Sequence, residues 1–142
     1  MKELNVYLAG ACRGLPDLGK TWRKECYDTA KVFNDMFAGT YKLNLYDPTE
    51  YFERDGSNSK SDKQVKNFYL KYLIHNSDAV LVNLNDTQYS CGTAQELQYA
   101  VDHEIPVIGF GKNNVFEWFP VDCDVVFDTM DEALDYIIDY MF

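Results

Sequence analysis

Positive charge is scarce in this chain. Its 142 residues carry 13 Lys and Arg against 23 Asp and Glu, a formal charge of -10. Nucleic-acid backbones and anionic membranes are held by clustered Lys and Arg, so neither is an expected partner. A small anionic ligand remains compatible, because a helix N-terminus and one local Arg can hold it. There is no apolar run long enough to span a bilayer and no signal-peptide pattern. Cys12, Cys26, Cys91 and Cys123 form no CxxC pair, which removes the usual redox and zinc motifs. His75 and His103 stand at no metal-ligand spacing from a cysteine and read as surface residues near helix C-termini. Neither metal nor cofactor is expected, and reduced thiols in a cytoplasm are the default. Asn85-Asp86-Thr87 matches a glycosylation sequon, but nothing else points to secretion.

What is present is apolar and aromatic. A hydrophobic fraction of 46% and an aromatic fraction of 15% call for a packed globule, here one domain over residues 1–142. Leu4 to Ala9 reads as a first strand closed by Gly10. From Gly19 to Phe37, Trp22, Cys26, Ala30, Phe33 and Phe37 fall three or four apart and give a helix one apolar face. Tyr41 to Tyr46 reads as a second strand ended by Asp47-Pro48, and Arg54 to Asp62 as a polar loop. Lys63 to His75 is helical, with Val65, Phe68, Tyr69 and Tyr72 inward. Strands follow at Asp78–Leu84, Ile105–Phe110 and Cys123–Phe127. A helix starting at Gly92 or Thr93 and ending near His103 follows the first of these. Thr129 caps a last helix to Met141, with Glu132 at its third position.

Strand-helix alternation of this kind predicts an α/β, flavodoxin-like doubly wound fold. It has five parallel strands in order 2-1-3-4-5 and helices on both faces. Ligands of such sheets bind outside the carboxyl ends of the strands, at the switch in strand order. Here that crevice brings Tyr7, Gly10 and Arg13 near Ser90, Gly92 and Glu96.

Glu96 is the candidate for chemistry, since a strand, a glycine turn and a helix would bring its carboxylate to the sheet rim. The alternative is structural: Thr93-Ala94-Gln95-Glu96 has the spacing of a capping box. As a nucleophile, a carboxylate attacks an anomeric carbon and forms a covalent glycosyl-enzyme. Ser90 is placed either to cap the helix or to meet a phosphate. Gly14-Leu15-Pro16-Asp17-Leu18-Gly19-Lys20-Thr21 matches the G-x-x-x-x-G-K-[ST] pattern of a phosphate loop. It begins several residues past the strand, however, and reads equally as a Pro-Asp turn into the first helix. Asn113 to Phe119 is an aromatic stretch suited to the core or to a subunit contact.

Five segments in order carry a resemblance. They are Tyr7-Leu8-Ala9-Gly10, Tyr46 to Phe52, Asp78 to Asn83, Gly92-Thr93-Ala94-Gln95-Glu96-Leu97-Gln98-Tyr99-Ala100, and Pro106 to Gly111. Together they resemble the nucleoside 2-deoxyribosyltransferase family, including its short phage and bacterial members, over residues 4 to 112. The resemblance implies a flavodoxin-like enzyme that cleaves the N-glycosidic bond of a 2'-deoxynucleoside and passes deoxyribose to another base. It implies Glu96 as nucleophile and Tyr7 as the residue orienting it. It also implies a substrate site drawing on Gly10, Arg13, Asp47, Ser90 and Gly92. Asn114 and Phe116 would reach a neighbouring subunit's site in a homo-oligomer.

Two positions depart from that family's pattern. Its transferases often carry Asp where this chain has Ser90. A serine there resembles the related 2'-deoxynucleoside 5'-monophosphate N-hydrolases, in which serines receive the phosphate. The family often has Asp where this chain has Leu70, with Asn67 and His75 the nearby polar alternatives for serving the base. The expected partner is therefore a small nucleoside or nucleotide. A hydrolase of nucleoside monophosphates and an inactive nucleotide-binding module are the alternative outcomes.

Overall fold

In the computed structural model, the described residues are 1–12, 14–52, 60–87, 90–111 and 118–142, Trp118 by its backbone alone. The elements run β1 (Lys2–Ala9), α1 (Lys20–Met36), β2 (Tyr41–Tyr46), a 3-10 turn (Pro48–Glu50), α2 (Asp62–Asn67) continued by a π-helical stretch (Phe68–Ile74), β3 (Ala79–Asn83), α3 (Cys91–Asp102), β4 (Val107–Phe110), α4 (Trp118–Val121), β5 (Val125–Phe127) and α5 (Met130–Met141). The five strands form one sheet in order β2-β1-β3-β4-β5, and every neighbouring pair is parallel. The α/β fold, strand order and flanking helices are those the alternation predicts.

The period-two alternation of a strand divides β1 between two cores. Leu4, Val6 and Leu8 pack with Cys26 and Ala30 of α1 and with Ala133, Leu134 and Ile137 of α5. Tyr7 and Ala9 point the other way, toward Tyr69, Leu73 and Ile74 of the π-helical stretch and Leu97 and Ala100 of α3. The sheet is thus sandwiched between α1 and α5 on one face and α2 and α3 on the other. That division puts the Tyr7 side chain under α3.

Two local expectations are corrected. The 63–75 segment does not keep α-helical phase. From Phe68 its turns widen, with His75 N donating to Leu70 O five residues back. Tyr69, Leu73 and Ile74 are buried and Tyr72 is 59% exposed, so the inward face continues through positions four and five after Tyr69 rather than three. The helix after β3 starts earlier than its glycine suggests. Ser90 caps it, its hydroxyl accepting from Thr93 N at 3.4 Å, and α3 begins at Cys91. At α5 the expected cap forms: Thr129 Oγ1 accepts from Glu132 N at 3.3 Å and donates to Glu132 Oε1 at 2.9 Å. The predicted loop at 54–62 lies mostly outside the described residues. No helix among those described is long and apolar enough to cross a membrane.

Candidate functional site

The revised start of α3 changes what Glu96 can be. With Ser90 as the cap, Glu96 sits in the second turn and has no capping-box role; the first turn holds no acidic residue. It shares a helix face with Thr93, Leu97 and Ala100, all of which are buried. Glu96 therefore leans against the sheet, and its Oε2 is fully enclosed.

What it leans toward is Tyr7. The Tyr7 side chain has no exposed surface, and its hydroxyl is also fully enclosed. Burial, and then the adjacent Glu96 carboxylate, push the Tyr7 pKa well above its ordinary value, while the Arg23 charge opposes this. Tyr7 is thus a neutral phenol at physiological pH. A neutral phenol beside a carboxylate serves as a hydrogen donor that fixes the carboxylate's direction.

Above this pair lies a cavity of about 980 Å³ at the carboxyl end of β1 and β3. Gly10, Ala11, Cys12, Gly14 and Leu15 form one wall, and Ser90 to Thr93 with Gln95 and Glu96 form another. The third wall comes from α2 and its extension: Asp62, Val65, Lys66, Tyr69 and Leu70. The volume lies at the upper end of that of small-molecule sites. Gly10 is close-packed, since a Cβ there would meet Trp22 at 3.1 Å and Asn83 Cβ at 3.3 Å, whereas Gly92 faces open space.

The cavity brings together Gly10, Ser90, Gly92 and Glu96; Tyr7 does not line it and is joined to it through Glu96. The Ser90 hydroxyl is partly committed to its cap and also meets Thr93 Oγ1. Asp47 stands apart from the lining. Its Oδ1 accepts from Thr49 N at 2.8 Å and Thr49 Oγ1 at 2.7 Å, and lies 3.7 Å from Arg23 Nε. Arg13, Asn114 and Phe116 lie outside the described residues. Asn67 and His75 do not line the cavity, whereas Leu70 does; His75 Nδ1 instead meets Tyr99 Oη at 3.2 Å.

The phosphate-loop reading fails on its own backbone. Asp17 Oδ1 accepts from Gly19 N at 2.9 Å, and Oδ2 accepts from Thr21 N at 3.1 Å. A carboxylate fills the nest that a phosphate would need. These bonds, with that from the Thr21 side chain the largest influence, hold the Asp17 carboxyl below its ordinary pKa.

Arg23 is the residue that sequence reasoning missed. It lies on α1 next to Trp22 and is 1% exposed. Its guanidinium donates to Leu8 O, Gly10 O at 3.1 Å, Gly19 O at 2.8 Å and Cys12 Sγ at 3.4 Å. It thereby ties the end of β1 and the first cavity wall to the start of α1. Its sequence signal is faint, a cation one residue from the apolar stripe of a helix.

No family model matches this chain, and no curated protein matches it by sequence. Solved structures match it in fold. A 2-deoxyribosyltransferase from the psychrotolerant bacterium Bacillus psychrosaccharolyticus superposes with a TM-score of 0.68 at 18% identity, covering 96% of this chain and 93% of its own. A conserved protein from Enterococcus faecalis V583 superposes with a TM-score of 0.60 at 16% identity, covering 97% of this chain and 76% of its own. At such identities the likeness is one of fold, and the fold fits that of the nucleoside 2-deoxyribosyltransferase family.

Proposed function

We propose that this protein cleaves the N-glycosidic bond of 2'-deoxynucleosides and passes the deoxyribosyl group to another nucleobase. The observation that carries the reading is the Glu96 carboxylate, which lines the cavity with buried, protonated Tyr7 behind it.

A Glu96 oxygen attacks C1' of the sugar as the C1'–N bond breaks, through an oxocarbenium-like transition state. The base departs with the bonding pair and takes up a proton. An incoming base nitrogen then attacks C1', loses its proton, and releases the Glu96 carboxylate. Tyr7 holds the nucleophile's direction throughout. Gly92 leaves open space on its wall for a sugar, Gly10 gives close packing behind the other wall, and Arg13 and Ser90 are the further residues proposed to bind substrate. Asn114 and Phe116 would complete a neighbouring site in a homo-oligomer working in the cytoplasm.

Hydrolysis of 5'-monophosphates is the second reading. Ser90 and Lys66 on the cavity wall favour it, being a hydroxyl and a cation able to meet a phosphate. Leu70 on the wall favours the third, a module that binds nucleotides without turning them over. The test is base release from a panel of 2'-deoxynucleosides and their 5'-monophosphates, with and without a second free base, followed by chromatography. Exchange into the added base is the expected result. Release from monophosphates alone, indifferent to added base, would replace the transferase with the hydrolase. No release from any substrate would leave the binding module.

A further inference from the structure

Resting on that reading, we propose that Asp47 is a positioning residue: from behind the cavity it joins Arg23 to Tyr69 and so fixes two of the cavity's walls relative to each other. Asp47 follows β2, whose last residue, Tyr46, pairs with Tyr7 of β1. It does not line the cavity, and its side chain is 14% exposed. This role takes the place of the substrate contact that the resemblance implies for it.

On one side, Asp47 Oδ1 lies 3.7 Å from Arg23 Nε. Arg23 in turn donates to Gly10 O at 3.1 Å and to Cys12 Sγ at 3.4 Å, both residues of the first wall. Its guanidinium is also held over Trp22, 4.7 Å from the ring centroid. On the other side, the same Asp47 oxygen accepts from Thr49 N and Thr49 Oγ1 and so caps the 3-10 turn Pro48–Glu50. Within that turn Pro48 O accepts from Tyr69 Oη at 2.7 Å. Tyr69 belongs to the third wall and is buried, as are Pro48 and Thr49. One carboxylate oxygen therefore serves both ends of a chain of contacts that runs from Gly10 to Tyr69.

Burial makes the chain stiff. The Arg23 side chain has almost no exposed surface, and in such a setting charges are weakly screened, so the Asp47 charge fixes where the guanidinium rests. Asp47→Asn keeps an acceptor for the cap and removes that charge. Tyr69→Phe keeps the ring on the third wall and removes the donor at the far end of the chain. Glu96, on α3, is part of neither end. The chain thus acts on how the cavity holds its substrate rather than on the nucleophile.

The experiment is a double-mutant cycle on Asp47→Asn and Tyr69→Phe. It reads KM and kcat for one 2'-deoxynucleoside, and the rate at which iodoacetamide alkylates Cys12, resolved by peptide mapping. Each single variant is expected to raise KM by about tenfold, with kcat within about threefold of the wild type. In the double variant the rise in KM should fall short of the product of the two single effects by about threefold or more. Both single variants should also speed the alkylation of Cys12, Tyr69→Phe doing so from the opposite wall. A KM unmoved by Asp47→Asn, with only the melting temperature lowered, would reduce Asp47 to a structural cap and overturn the proposal. Independent effects of the two substitutions on KM would overturn it as well. Should the wild type turn over no 2'-deoxynucleoside, the proposed reaction fails separately, and the Cys12 rates decide Asp47. Faster alkylation in both single variants, with no further gain in the double, supports the proposal; a rate unmoved by Tyr69→Phe overturns it.

Discussion

Tyr7 on β1 and Glu96 on α3 meet across the interface between sheet and helix, and the phenol stays protonated there through burial and through the carboxylate beside it. The pair arises from two periodicities. Alternation along β1 turns Tyr7 to the α3 side of the sheet, and the inward face of α3 carries Glu96 with Thr93, Leu97 and Ala100.

Tyr7→Phe is expected to lower kcat by about tenfold to a hundredfold, the value of one hydrogen bond to a charged group, with KM little changed. The same substitution has a stability signature. The folded pKa of Tyr7 is raised, so its contribution is intact below the unfolded tyrosine value of about 10 and is lost as pH rises through the folded value. Denaturant melts above pH 10 should fall less steeply in Tyr7→Phe than in the wild type.

Buried thiols act on the same limb at lower pH. Burial pushes Cys26 and Cys123 up to about 12 from an ordinary value of 9.0. Their contribution is complete below pH 9 and is lost as pH rises toward 12. Replacing both with Ala should flatten the fall in stability over that window, whatever it does at pH 7. Cys91 is the exposed thiol and Cys26 is buried. Maleimide labelling of the native protein, read by peptide mapping, should modify Cys91 first and Cys26 last.

Arg23 braces the site rather than entering it. Removing its guanidinium takes away the donor shared by the Leu8, Gly10 and Gly19 carbonyls and the ion pair with Asp47. Arg23→Met should cost about 3 kcal/mol or more in denaturant unfolding. Gly19→Ala should be destabilising by a related route. Gly19 has φ +74°, and its added Cβ would collide with the Ala11 carbonyl and the Arg23 guanidinium.

Most of the fold was legible because buried parallel strands are near-continuous apolar runs, as in Ala79 to Leu84 and Val107 to Phe110. The crevice followed from strand order. Glu96 was legible by position, but its surroundings were not. The start of α3 depended on whether Ser90 or Thr93 took the cap, and both have capping side chains. Tyr72 was misplaced because a π-helical stretch leaves no mark in a period of 3.6. Arg23 was passed over because a buried cation needs carbonyl acceptors from β1 and the turn before α1. Its window of sequence does not contain the β1 partners.

Asp17 offers a test of the discarded phosphate loop. Asp17→Ala uncovers Gly19 N and Thr21 N and should cost about 1 kcal/mol in thermal or denaturant melts. The Asp17 pKa is lowered in the fold, so its contribution exists above the ordinary carboxylate range and is lost as pH falls through the folded value. The acid limb of the stability profile should therefore be shallower in the variant. Lys20→Ala should leave both stability and base exchange close to wild type.

The central claim is a covalent bond between deoxyribose and Glu96. The direct measurement is rapid acid quenching of the enzyme with a 2'-deoxynucleoside, followed by peptide mass spectrometry, in the wild type and Glu96→Gln. A deoxyribosyl adduct on Glu96 in the wild type is the expected result. Glu96→Gln should show no adduct, a loss of turnover of about a thousandfold or more and an unchanged melting temperature. Turnover without an adduct, undiminished in Glu96→Gln, would contradict the account.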